Sequence, residues 1–180
     1  MIEVFRNLLI SQYEASLCTL GHCVAKCPAE VWNAPVAKYP FCQVAYHTLF
    51  FADYYLGPDA ESFRQQPFHR ANPTLFGDYE QLEYREPVSL YEKSQIEAYL
   101  EYCRGKAGTT IAAETEIDLC SPTKFARRTF SRAELHLHSI RHIQHHAAQL
   151  ILRLRLDTHI DIPWIFAGWR DPESAALGGS

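Results

Sequence analysis

Histidines are the residues of this chain whose type and spacing can do chemistry. Nine occur in 180 residues, and His136, His138, His142, His145 and His146 fall within one short segment. On a helix, with His142 as origin and about 100° per residue, His138 lies at about −40°, His146 at about +40° and Gln149 at about −20°. One stripe therefore carries three histidines in three successive turns. An apolar stripe of Ile140, Ile143, Ala147, Leu150, Ile151 and Leu154 lies beside it. His136 and His145 point elsewhere. Neutral imidazoles at i and i+4 stand one above the other, so His142 and His146 can converge on one divalent ion. A third nitrogen must come from another element. His47 is the candidate, because it sits in an apolar helical pattern (Val44, His47, Phe51, Tyr54, Tyr55) that needs a reason to hold a polar ring. Three protein nitrogens leave a position open for water or substrate, which is catalytic rather than structural architecture. The alternative is that the same histidines line a solvated face or donate to backbone in the core.

Spacing rejects several other chemistries. There is no H-E-x-x-H of a zincin protease. There is no Glu-x-x-His for a paired-carboxylate di-iron site, and Phe51 stands four residues after His47 where a carboxylate would be needed. No Gly-rich phosphate loop and no G-x-S-x-G occur. Cys18/His22 and Cys23/Cys27 are further i,i+4 pairs, but they are rotated about 140° apart, so one ion cannot take all four. The six cysteines include no C-x-x-C and lie in apolar helical patterns, which reads as free, mostly buried thiols of a cytoplasmic protein. A redox sensor built on Cys18, Cys23 and Cys27 would require an exposed, low-pKa thiol among them.

Two features flank the histidine stripe. Gln149, one turn on, can orient a ligand, and His138, one turn before, can support a ligand or shuttle a proton. The run Lys124, Arg127, Arg128 and Arg132 is either solvated surface or an anion-binding rim. In the second case Arg127 and Arg128 would hold the carboxylates of a substrate or of a thiol cofactor.

The elements that must position these residues are helical. The first helical segment spans about 2–27 and stops at Pro28. A proline-bearing loop fills 28–40, with a turn at 29–31. The second helix spans about 41–56 and ends at Gly57-Pro58. The third opens at a capping-box spacing, Ser89 to Glu92, and runs to about Ile117, with Gly105 and Gly108 as weak points. The fourth opens at a second capping box, Ser131 to Glu134, and runs to about Leu156. The long 57–88 connection lets the second and third helices run parallel and can cover the site. Trp164, Phe166 and Trp169 pack the tail onto the helices. The expectation is an all-α four-helix bundle with a long connection between its second and third helices, a single domain over 1–170 and a flexible tail over 171–180.

Composition agrees with that reading. A chain that is 47% hydrophobic and 21% charged supports one sizeable core and argues against disorder. Seventeen Lys+Arg against 21 Asp+Glu give a net charge of −4, a poor balance for nucleic-acid binding. No apolar run approaches the roughly 20 residues that span a bilayer, and no targeting segment is visible.

The segment His138-Ser-Ile-Arg-His142-Ile-Gln-His145-His146-Ala-Ala-Gln149-Leu150 resembles the last-helix signature of the DinB/YfiT-like metalloenzymes. In that signature a histidine, a second four residues on, and a small-small-Gln stretch recur. Ala147-Ala148 stands where the family has Arg-Gly. The stretch from Trp32 to Cys42-Gln-Val-Ala-Tyr-His47 resembles the family's loop and metal-bearing helix. The resemblance covers about residues 1–156. It implies a helical bundle holding zinc or nickel on His47, His142 and His146. It further implies a small-molecule substrate, frequent homodimers, and activities such as thiol-dependent S-transfer or isomerisation. Hydrolysis, or a stress-associated metal-binding protein without catalysis, are the alternatives.

Overall fold

The computed structural model describes residues 1–77, 89–126 and 129–168. The described chain is mostly helical, and four long helices form its frame. In α1 (Ile2–Lys26), Leu9, Tyr13, Leu17, Leu20 and Val24 recur every three or four residues and are buried. Pro28 favours an extended residue before it, and α1 ends at Cys27 in that conformation. The short α2 (Ala29–Trp32) follows. Next comes a two-stranded antiparallel hairpin, β1 (Pro35–Val36) and β2 (Tyr39–Pro40), with Val36 opposite Tyr39. The sequence reads this stretch as loop. Strands this short tolerate proline at their ends, so its three prolines do not prevent pairing. Ala37 turns the hairpin with a left-handed φ of 58°.

Helix α3 (Phe41–Leu56) leads into a single 3-10 turn (Ser62–Gln65) and α4 (Pro67–Ala71). Helix α5 (Lys93–Ala113) is capped by Glu92 and Gln95, one turn later than the expected Ser89–Glu92 box. It runs through Gly105 and Gly108 but stops before Glu114 instead of continuing to Ile117. Glu114 turns away to meet Arg132 and His136, and Thr115 with Asp118 caps a separate short helix, α6 (Glu116–Cys120). Helix α7 (Arg132–Thr158) starts at the expected Ser131–Glu134 capping box.

Helix α1 packs on α5 and α7, and α3 packs on the same two. Directions follow from paired residues. Tyr13 meets His136 and Cys23 meets Ala147, so α1 and α7 run parallel. Leu49 meets Cys103 and Asp53 meets Lys106, so α3 and α5 also run parallel, as the long connection allows. Arg132, at the start of α7, donates to the carbonyls of Tyr55, Leu56 and Gly57 at the end of α3, which makes that pair antiparallel. The order of directions is up, down, down, up. No helix of the described residues is long and apolar enough to cross a membrane.

The described part of the long connection packs on α3 and α5. Phe63 meets Phe50 and Tyr54, while Phe68 stacks on Tyr102. None of residues 57–77 lines the cleft beside His47 and His146, and 78–88, the rest of the expected cover, lie outside the described residues. At the other end of the chain, Ile162 and Ile165 are buried, whereas Trp164 and Phe166 stand 72% and 73% exposed. The aromatic anchors expected there are therefore isoleucines. Trp169 and the 171–180 tail are outside the described residues. Close approach of this segment to α1 requires Gly168, whose φ is +65° and whose added Cβ would lie 2.7 Å from the Glu14 backbone.

Asp53 is a fully buried carboxylate with both oxygens paired. Asp53 Oδ2 accepts from His69 at 2.6 Å and from the Tyr99 hydroxyl at 2.8 Å, while Lys106 Nζ donates to Oδ1 at 2.5 Å. Lys106 also donates to Gln66 Oε1 at 2.6 Å. Burial pushes the Asp53 carboxyl up, but the His69 hydrogen bond and the Lys106 charge outweigh it and hold the carboxyl below its usual value. Its folded value is depressed, so its stabilisation is present above about pH 3.9 and is lost as pH falls through the depressed value.

Asp53→Ala strands Lys106 and is expected to destabilise the protein by about 3–5 kcal/mol at neutral pH. The deficit relative to wild type should shrink on acidification, as read by denaturant unfolding across pH. All six cysteines are free, and only Cys120 is exposed. Burial pushes Cys23 and Cys27 up to about 12. The redox sensor on Cys18, Cys23 and Cys27 therefore lacks the exposed, acidic thiol it requires. Alkylation of native protein followed by peptide mass analysis should label Cys120 alone before unfolding.

Candidate metal centre

Helix α7 buries Leu135, Ser139, Ile143, Ala147, Leu150 and Leu154 on one face, each three or four residues from the last. The stripe one residue earlier falls at the edge of that face, opposite α3. His142 and His146 lie on this stripe, and α3 presents His47 to them. The three half-buried rings converge: one ligand atom from each lies within 4.8 Å of the others. Ring centroids are 5.2 Å apart for His47–His142, 4.8 Å for His47–His146 and 4.6 Å for His142–His146.

The closest approach is 3.3 Å, between Nε2 of His142 and Nε2 of His47. Two nitrogens each about 2.0–2.1 Å from one tetrahedral ion stand about 3.3–3.4 Å apart. The spacing therefore fits a shared ion. Without one, one nitrogen must carry the proton and donate to the other. Phe51 walls the group on one side, with its ring 4.9 Å from His47 and 5.6 Å from His142.

Electrostatics hold the rings neutral. Burial lowers His47 to about 4, with the neighbouring His146 adding to the effect. Burial lowers His142 further, to about 2, and the surrounding histidines reinforce it. His146 is lowered by burial, against the opposing effect of its hydrogen bond to Gln149. Neutral imidazoles offer their lone pairs near neutral pH, which is the form a metal takes.

Support of the ligands is uneven. Nδ1 of His146 donates to Gln149 Oε1 at 2.9 Å, which leaves Nε2 with its lone pair free. The Gln149 amide then donates to His145 Nε2 at 3.2 Å. His145, which the sequence reading placed outside the site, thus orients the amide that orients a candidate ligand; the spacing of His145 and Gln149, four apart, was the available signal. Nδ1 of His142 is buried with no hydrogen-bond partner among the described residues.

The remaining expected residues separate. His138 is one turn before His142 and lies between Tyr55 and Phe130, 5.5 and 5.4 Å from their rings. It is outside the converging trio. Arg127 and Arg128, the expected anion contacts, lie outside the described residues. Arg132, from the same run, is committed to the α3 carbonyls and to Glu114 at 2.7 Å. His136 is buried in the core, where Tyr13 donates to Nδ1 at 3.2 Å and Nε2 donates to Glu114 at 2.8 Å.

Two of the trio, His47 and His146, open on a cleft of about 510 Å³ between the hairpin, α3 and α7. His47, His146 and Gln149 sit in its lining with Val36, Tyr39 and Val44. The hairpin forms the edge of the site, and its turn residue Ala37 also lines the cleft. A left-handed alanine is uncommon, and such positions concentrate around functional sites. Comparison with known proteins returns no match, whether with family models, curated proteins or solved structures.

Gln149→Leu removes the acceptor for His146 without touching the core, because Gln149 is exposed. Zinc affinity, measured by chelator competition, is expected to fall about 10- to 100-fold while the circular dichroism of the helices stays unchanged.

Proposed function

We propose that this protein is a metal-dependent enzyme in which His47, His142 and His146 hold one divalent ion at the end of a substrate cleft. The observation that carries this reading is the convergence of three neutral imidazole nitrogens from two helices beside a concave, mostly apolar cleft that His47 and His146 line. The four long helices form a four-helix bundle of the DinB/YfiT-like kind, and the matching histidine positions support that kinship.

The ion, when bound, would act as a Lewis acid that lowers the pKa of water or of a low-molecular-weight thiol. Zinc suits a three-nitrogen site, and nickel is the other metal the resemblance suggests. The chain's own contributions are distinct. His47 and His142 place two nitrogens at ligand spacing. Gln149 fixes the His146 tautomer. Phe51 packs its ring against His47 on the α3 side. His138, among aromatic rings and one turn away, is positioned to influence the charge on His142. Among reaction classes, thiol-dependent transfer or isomerisation is favoured by the resemblance.

Elemental analysis of protein purified without chelator or affinity metal tests the reading. Near-stoichiometric zinc or nickel is expected in wild type, with loss of most of it in His142→Ala. Metal-free wild type that also fails to take up added zinc, or undiminished metal in the variant, would sink it.

A further inference from the structure

Along α7 the wall of the cleft passes from His146 and Gln149 to a pair of leucines, and this gradient specifies a ligand. The lining runs from His146 through Gln149 and Leu152 to Leu156. Those eleven residues span about 15 Å of helix. The polar groups facing the trio cluster at the His146 end. Beyond them the α7 wall is Leu152, Arg153 and Leu156, and the two leucines, one turn apart, stand 57% and 64% exposed. Val36 and Tyr39 of the hairpin and Val44 of α3 complete the apolar lining.

Two cations also line the cleft, and the Nζ of the first, Lys38, stands 5.3 Å from the centroid of the Tyr39 ring. Arg153, the second, donates from Nε to Asp157 at 2.6 Å and from Nη2 to the same carboxylate at 2.5 Å. Gln43 is likewise engaged, donating to the Ser89 carbonyl at 2.8 Å. Two leucines left in water beside a row of apolar side chains are a standing free-energy cost that an apolar ligand would remove. A cavity of this size, apolar with convergent polar groups at one end, has the form of a small-molecule site.

We infer that the substrate is an amphiphile: a polar head that reaches the three histidines, followed by an extended apolar chain that lies between the hairpin and the Leu152–Leu156 face of α7. The inference rests on the metal-site reading for the head and on the cleft lining for the chain. It assigns specificity to Val36, Val44, Leu152 and Leu156, which contact the chain and not the reacting atoms.

A homologous series of n-alkyl hydroxamates, from aceto- through butano- and hexano- to octanohydroxamate, separates the two parts. Each is titrated calorimetrically into zinc-loaded and into metal-free protein. Affinity should rise about two- to fourfold per added methylene in both forms, because the slope comes from the apolar wall. Zinc should tighten every member of the series by a common factor, because that gain comes from the head. Leu152→Asp and Leu156→Asp alter exposed positions and should flatten the slope, with zinc content and helicity unchanged. Leu137→Asp, also exposed on α7 but outside the cleft, should leave the slope intact. A flat series in both forms of wild type, or a slope that survives both cleft variants, overturns the inference. A normal slope with no common zinc factor keeps the apolar chain site and instead removes the metal-bound head.

Discussion

The geometry of the histidine trio depends on one guanidinium. Arg132 is the first residue of α7, and its Nη1 and Nη2 donate to three consecutive carbonyls at the end of α3. Those carbonyls are ones a helix leaves unsatisfied at its C-terminus. A planar, permanently charged group with donors in a fixed fork suits them better than a lysine would. The clamp sets the register of two antiparallel helices. His47 lies nine residues before Leu56, about 14 Å back along α3, and His142 lies ten residues after Arg132, about 15 Å along α7. The two distances match, so the rings meet. Glu114 holds the other edge of the guanidinium and is itself held by His136 and, through it, Tyr13. Burial pushes Glu114 up, but His136 and Arg132 outweigh burial and keep it ionised.

A second buried charge braces the same helix from the opposite side. Asp53 is six residues after His47, and its partners come from α4 and α5. Helix α3 is thus fixed at its end by α7 and along its far face by α4 and α5. Its near face carries Val44 and His47 to the cleft and Phe51 against the histidine rings. A charge this deep is an expensive way to stabilise a fold. Its effect here is to fix how α3 is rotated, and hence where His47 points.

The site was legible in the sequence to the extent that it follows helical periodicity. His142 and His146 are four apart, and His47 breaks an apolar pattern, so their pairing is readable from spacing. The four long helices followed from spacing and from capping residues; Ser131–Glu134 held, while Ser89–Glu92 lost to Glu92–Gln95, three residues later, with an equivalent acceptor pair. Other features depend on long-range partners that no local pattern encodes. The break at Glu114 exists because Arg132 and His136 draw its carboxylate away. The hairpin was hidden by its prolines. The identity of the cleft's edge was missed because two strands of two residues each leave almost no alternation to detect. His69 gave no sign of its role, since its partner Asp53 is sixteen residues distant and Tyr99 is further still.

The parallel pairing of α1 with α7 has a consequence for how the chain acquires this structure. Contacts between the two join residues 123 and 124 positions apart, such as Tyr13 with His136 and Cys23 with Ala147. A chain emerging in order from a ribosome makes α1 first and its partner α7 last. Until then one side of α1, including Leu9, Tyr13 and Leu20, can be covered only by α5 or by something other than this chain. Late closure of this kind slows folding and prolongs the exposure of apolar surface. The window before α7 arrives is when the protein is most vulnerable to aggregation.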